Sequence, residues 1–255
     1  MVRKFWWGQV KDEKKLAWLS WEKMCLLKER CGMGFQDLRL FNLALLAKQG
    51  WRLQTDPSSL FYWVYKAKYF PSCDFVDADM GCQPSYAWRS IMAAQPLVRW
   101  GMRWQAVDGT QIKAWEGKWI PSPWTYKVIT PEMMLRQVQW VSDLIDEDSK
   151  EWKWDLVSQC FLPQDTDVIL SIPLSVTGAR DRVIWDENKN ERFTVKNAYI
   201  LAQEEQWDTV MGEGSNQSPM KQTWKRLWQM NVPNKVRHFV LKTCRNILAT
   251  KENLQ

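Results

Sequence analysis

The residues best suited to nucleophilic or metal chemistry in this chain of 255 residues are one histidine, His238, and six cysteines, Cys25, Cys31, Cys73, Cys82, Cys160 and Cys244. Their spacing favours neither chemistry. No two cysteines form a C-x-x-C pair. The intervals Cys25/Cys31 and Cys73/Cys82, the only ones short enough to consider for zinc, match no common knuckle. His238 and Cys244 lie six residues apart on one predicted helix and so face different ways. Two-metal polymer chemistry needs paired carboxylates, and the sequence has no adjacent Asp-Asp. The acidic run DEDSKE (146–151) lacks a neighbouring apolar strand to fix it and reads as solvated charge. The glycine pairs in CGMGF (31–35) and GEG (212–214) lack a phosphate-loop pattern and read as turns. No catalytic residue, metal ligand, cofactor or small-molecule substrate is expected.

What remains is electrostatic. The net charge of +6 hides a marked asymmetry. Residues 1–70 carry 13 basic and 6 acidic residues (+7), and residues 221–255 carry 8 and 1 (+7). Between them, residues 71–130 carry 6 and 5 (+1) and residues 131–220 carry 8 and 17 (−9). Basic ends suit a polyanion, although ends and middle could equally neutralise one another within the fold. In the final helical pattern, Val236, Phe239, Val240, Thr243 and Ile247 share one side, with Lys235, His238, Lys242 and Arg245 opposite. Such a pattern serves either a phosphate-facing helix or a plain amphipathic surface helix. The candidate phosphate contacts are Lys225, Arg226, Lys235, Lys242 and Arg245, with Lys23, Lys28 and Arg30 as a second patch. Trp224 and Trp228, at i and i+4, could stack on bases; core packing is the commoner use of such a pair.

Several elements must position these residues. DLRLFNLALLAKQGWRL is a helix capped by Asp37, with Leu38, Phe41, Leu45 and Trp51 inward and Leu46 and Ala47 widening the face. PSSLFYWVYKAKYF is a second, with Leu60, Phe61, Val64 and Ala67 inward, and SYAWRSIMAAQ a third. MRWQAV-DG-TQIKAW predicts a hairpin about Asp108-Gly109, and DRVIWD-ENKN-ERFTV a second. Trp104, Trp115 and Trp119 around the first hairpin are assigned to core. PEMMLRQVQWVSDLI (131–145) and KNAYILAQEEQW predict helices, and MGEGSNQSP (211–219) a linker. Two helices about Pro233 close the sequence. The fold class expected is mainly α with two small β-hairpins, in two helical subdomains joined near 121–131 or 211–220. No run approaches the roughly 18 apolar residues of a membrane span. MVRKFWWGQVKDEKK has no signal-peptide core, so an intracellular protein is expected. The cysteines are then expected to be reduced and mostly buried.

Taken in order and spacing, six runs resemble the C-terminal portion of plant-type non-LTR (LINE-type) retrotransposon polyproteins. They are FWWG (5–8), LSWEKMCLLKERCGMGFQDLRLFNLALLAKQGWRL (19–53), SYAWRSI (85–91), GMRWQAVDGTQIKAWEGKWIP (101–121), FTVKNAY (193–199) and WKRLWQMNVPNKVRHFVLKTCRNILATKENL (224–254). The resemblance implies a thumb- or connection-like region over 1–125, a connecting helical region with a small hairpin over 126–220, and a partial reverse transcriptase zinc-binding domain over 193–255. In that family W-x-x-L-W…P-x-K-V-x-x-F precedes a cysteine/histidine zinc cluster, and an RNase H domain often follows; this sequence stops at Gln255, before such ligands. The family's aromatic-x-Asp-Asp motif is absent, and Leu241 and Lys242 stand where Trp and Arg are common. The implied function is sequence-tolerant RNA or DNA backbone binding within a parent polyprotein, without catalysis. A protein-interaction module and a decayed remnant without function are the alternatives.

Overall fold

The structure, a computed structural model, describes residues 19–28, 32–121, 126–131, 138–146, 148–174, 179–186, 190–211 and 218–248, with the backbone alone for 206–211 and 218–221. The aromatic residues Phe5, Trp6, Trp7 and Trp18 and the core of the predicted linker lie outside these residues, as do Arg30, Cys31 and Glu147. The described elements are mainly helical, with one two-stranded antiparallel sheet among them. The chain divides into two compact units. One comprises residues 43–201; the other joins residues 1–42 to 202–255.

Side-chain caps set the helix starts. Ser20 accepts from the Lys23 N–H and opens α1 (Trp21–Cys25). Asp37 Oδ1 accepts from the Arg39 N–H at 2.8 Å and opens α2 (Leu38–Thr55). Ser59 and Ser85 do the same for α3 (Leu60–Tyr69) and α4 (Tyr86–Ala93). Each cap satisfies a backbone donor that has no partner in the first helical turn. Pro96 lies in the first turn of α5 (Gln95–Gly101), where its missing N–H costs nothing.

The inward faces differ from those expected. In α2 the buried residues are Ala44, Ala47, Gly50 and Leu53, while Leu38 and Leu45 are exposed. A Cβ on Gly50 would stand 2.7 Å from the Phe75 ring, so this face is selected by small residues that permit close approach. In α3, Leu60 and Val64 are 79% and 55% exposed, and Ala67 is exposed too. Its partly buried aromatics turn inward instead: Tyr69 stacks on Trp88 at 4.6 Å, and Phe70, just after α3, stacks on it at 5.8 Å.

The strands occur where alternation predicts them but choose other partners. β1 (Met102–Gln105) and β2 (Arg182–Trp185), the first arms of the two predicted hairpins, pair with each other, Met102 opposite Trp185 and Gln105 opposite Arg182. Arg103 Nε to Asp186 Oδ1, at 2.7 Å, fastens the pair. Gly101 leaves room for Trp185, whose ring would lie 2.3 Å from any Cβ there. In place of the two-residue hairpin loop expected at Asp108-Gly109, the chain bends at residues 107–108, with Gly109 at φ +70°, and Asp181 holds the bend. Asp181 Oδ1 accepts from the N–H groups of Val107, Asp108 and Gly109, and its Oδ2 from Gln111.

A second core in this unit runs from Ala106 to Ile169. Trp119 is fully buried in it, with Trp104 and Trp115 packed against it. Two helices with no counterpart in the sequence reading, α6 (Trp154–Cys160) and α7 (Pro163–Ser171), contribute Val157, Cys160 and Ile169. Of the helix expected over 131–145, residues 132–137 lie outside the described residues, and Val141–Leu144 is a single 3-10 turn. Asp146, expected to be merely solvated, accepts from the N–H groups of Asp148 and Ser149 and shapes the acidic turn. The closing helices are α8 (Val195–Met211), α9 (Ser218–Gln229) and α10 (Asn234–Cys244). No helix among the described residues is long and apolar enough to cross a membrane.

Candidate nucleic-acid interface

The unit formed by the two ends of the chain carries 17 basic and 10 acidic residues, a net +7. Residues 43–201 carry 18 and 19, a net −1. Among the described residues of the first of these, 10 are basic and 5 acidic, so positive charge is in excess there, and the described members of both basic patches read from sequence share it.

Its core is small. Leu19, Met24, Met33, Trp224, Leu227 and Leu241 are buried together, with Phe35, Trp228, Val240 and Ile247 against them. After α1 the chain folds back, the Met33 N–H donating to the Met24 carbonyl at 3.1 Å and Gly34 N–H to the Leu26 carbonyl at 3.0 Å. Two glycines make the reversal possible. Gly34 sits at φ +71°, and a Cβ on Gly32 would stand 1.8 Å from the Leu26 carbonyl oxygen. The reversal leaves Lys28 exposed, with its Nζ 5.1 Å over the Trp228 ring. Charge above a tryptophan face is attracted by the ring quadrupole, so the contact orients Lys28 without neutralising it.

The His238 ring meets Trp228 edge-on at 5.8 Å. Burial, then the charges of Lys242 and Lys28, lower its pKa below the ordinary 6.5. Lys28 lies over the Trp228 ring that His238 meets, and Lys242 stands one helical turn from His238 on the last helix. Lys28 and Lys242, read as members of separate patches, therefore converge around Trp228 and His238.

The remaining candidates divide by exposure. Lys23, Lys225, Arg226 and Lys235 are exposed; Lys242 and Arg245 are half-buried; Arg30 lies outside the described residues. The face assignment on α10 is corrected. Leu241 is fully buried at the centre of the inward side, which His238, Lys242 and Arg245 flank, whereas Val236 and Phe239 are 43% and 59% exposed. Leu241 completes the small core with Trp224 and Leu227; of the apolar side read from sequence, Val240 and Ile247 do pack against that core, while Val236, Phe239 and Thr243 are exposed. Trp224 and Trp228 serve as core and half-buried support.

Arg237 was not singled out by sequence reasoning. Its Nη2 and Nε donate to the Met230 carbonyl at 2.6 and 3.1 Å, and Nη1 to Asn234 Oδ1 at 3.1 Å. A cation on a carbonyl just past the end of a helix suits the negative end of its dipole. The signal was an arginine four residues after Pro233, within reach of the preceding helix.

The thiols are varied in setting. Burial, then Asp37 and Glu22, push the Cys25 thiol up to about 12, which leaves it protonated and unreactive. Cys25 and Cys160 are buried but Cys82 and Cys244 are exposed, so the expectation of mostly buried cysteines fails for these two. Among the described residues, no group of three His, Cys, Asp or Glu residues is placed to hold a metal ion.

No family model matches the chain, and no solved structure matches it. It is 26% identical over 257 residues to "Putative ribonuclease H protein" of Arabidopsis thaliana, an alignment covering 99% of this chain but 40% of that protein. The chain thus spans about two-fifths of that relative's length. It is 39% identical over 120 residues to an uncharacterized mitochondrial protein of Arabidopsis thaliana, covering 47% of this chain and 78% of that protein. At that identity and coverage, the chain belongs to the same family as the uncharacterized mitochondrial protein of Arabidopsis thaliana.

Proposed function

We propose that this chain is a retroelement-derived segment that grips RNA or DNA through backbone phosphates and leaves catalysis to other portions of its parent polyprotein. The observation that carries the reading is the collection of both basic ends into one unit, with Lys28 and Lys242 converging on Trp228 and His238. Similarity to a much longer relative named for ribonuclease H supports a nucleic-acid setting. So does the resemblance to LINE-type polyproteins, with its partial zinc-binding domain. The exposed cations Lys23, Lys28, Lys225, Arg226 and Lys235 are the phosphate contacts, and Lys242 and Arg245 act from half-buried positions.

The test is fluorescence anisotropy of the full chain with labelled duplex DNA and duplex RNA across a salt series. Each neutralised phosphate contributes about −0.9 to the slope of log affinity against log salt on B-DNA. Five contacts give a slope of roughly −4.5 on that rule. Charge reversal at Lys28, Lys225 and Lys235 together flattens the slope. No binding in dilute buffer, or an unchanged slope in the triple variant, overturns the reading. Nucleotide incorporation or RNA hydrolysis by the chain alone overturns the absence of catalysis.

A second reading, a protein-interaction module, draws on the exposed Val236 and Phe239 of α10 and the exposed Leu60, Trp63 and Val64 of α3. Apolar association of that kind survives high salt, which separates the two readings.

A further inference from the structure

Within residues 43–201, the segments 112–114 and 139–141 run antiparallel. Ala114 N–H donates to the Gln139 carbonyl at 3.0 Å and Val141 N–H to the Ile112 carbonyl at 2.9 Å, which makes Lys113 and Trp140 an isolated bridge. Residues flanked in this way form the closely spaced kind of antiparallel pair, with side chains on the same face. The pairing stops there: residues 114–116 form a turn, with the Gly117 N–H donating to the Lys113 carbonyl at 3.1 Å, and the Trp115 side chain is tied to Val138 across it.

The walls are fixed. Trp115 Nε1–H donates to the Val138 carbonyl at 2.8 Å, and its ring stacks on Phe161 at 4.8 Å. The Trp140 N–H is held by Asp143 Oδ2 at 2.9 Å, yet the residue remains 39% exposed. Lys113 Nζ rests on Glu116 Oε2 at 2.8 Å, both side chains largely exposed. Lys113, Trp115, Glu116, Val138, Gln139 and Trp140 line a cavity of about 230 Å³. That is below the ~300–1,000 Å³ of pockets for drug-sized ligands and suits a single flat heterocycle.

We infer that this cavity takes one unpaired nucleobase of a single strand. Trp140 supplies the stacking face, Trp115 a fixed part of the cavity wall, and Lys113 swings from Glu116 to the adjoining phosphate. The inference rests on the nucleic-acid reading above and adds to it a preference for strands with accessible bases. Stacking is sequence-tolerant, because every base has a flat π-face.

The test compares a labelled single-stranded oligonucleotide with an abasic strand of equal length, each binding the full chain. The base-bearing strand binds roughly tenfold more tightly, as one stacked base implies. Trp140→Ala abolishes that difference and Trp140→Phe retains part of it, with circular dichroism confirming the fold of both. Lys28→Glu weakens both strands alike. Equal affinity of the two strands for the wild-type chain, or an unchanged difference in Trp140→Ala, overturns the cavity assignment alone. Failure to bind either strand in dilute buffer defeats the broader nucleic-acid reading as well. A preference for aromatic peptides over base-bearing strands at this cavity also overturns it.

Discussion

Residues 43–201 and the unit built from the two chain ends use charge in opposite directions. In the first, carboxylates turn inward and accept backbone N–H groups. Asp181 takes four, and Asp165 takes those of Ile129 and Thr130 together with the Thr130 hydroxyl. In the second, Lys28 stays exposed over a half-buried tryptophan. A carboxylate buried to hold a loop must be satisfied; a cation that meets a polyanion must keep its solvent access. The net charge of +6 gives no hint of this division of labour, which follows from where each charge sits along the chain and in the fold.

The largest effect that probes the contrast is at Asp181. Replacing it with alanine strands four backbone donors, and charge-assisted bonds of this kind contribute enough that a loss on the order of 3 kcal/mol is expected in urea denaturation. Oligonucleotide affinity, measured where the variant is still folded, should hardly move. A drop equal to that of the lysine reversals would erase the distinction between the two units. Next comes Gly101→Ala, where a Cβ meets the Trp185 ring at 2.3 Å. Overpacking of that kind costs about 1–3 kcal/mol, read from the shift in denaturation midpoint.

Acid sharpens the comparison with a smaller effect. His238 has a folded pKa below 6.5, so the unfolded chain binds its proton more readily. The terminal unit keeps its full stability above about pH 6.5 and loses some as pH falls through the lowered value. For Asp108, burial pushes upward, but hydrogen bonds from Thr110 and Asp181 prevail and hold the carboxyl below 3.8. Its contribution to the other unit is complete above that value and lost only as pH falls through the depressed one. Hydrogen exchange at pH 7, 5.5 and 3 should therefore loosen amides of α10 before those around Asp108. The reverse order would contradict both assignments. The smallest effect expected is at Phe239, 59% exposed. Phe239→Ser should change stability by no more than about 0.5 kcal/mol. A larger loss would mean that this side of α10 is covered.

Helix positions were legible because caps and punctuation are local. Asp37 opens α2 as read, and Pro57, Pro84 and Pro233 bracket helices that do form. Helix faces were less so. α2 is apolar on most sides, so counting large residues cannot choose a face; Ala44, Ala47 and Gly50 choose it by letting a neighbour approach. On α10 a single leucine, Leu241, outweighs Val236 and Phe239 because the core it completes comes from distant sequence. Alternation located both strands, but a turn signal names only the nearest partner, and β1 found a remote one. The same limit applies to the interface. The cations were visible as composition, while the meeting of Lys28 with Trp228 and His238 depends on ends 200 residues apart.

The pairing of β1 with β2 also sets a timetable for synthesis. Gln105 and Arg182 are 77 residues apart, and Arg103 and Asp186 are 83. At the ~5–20 residues per second of translation, β1 leaves the ribosome about 4–16 s before its partner exists. During that interval the edge of β1 and the pocket awaiting Trp185 stand open, and a chaperone or a neighbouring nascent chain can reach them first.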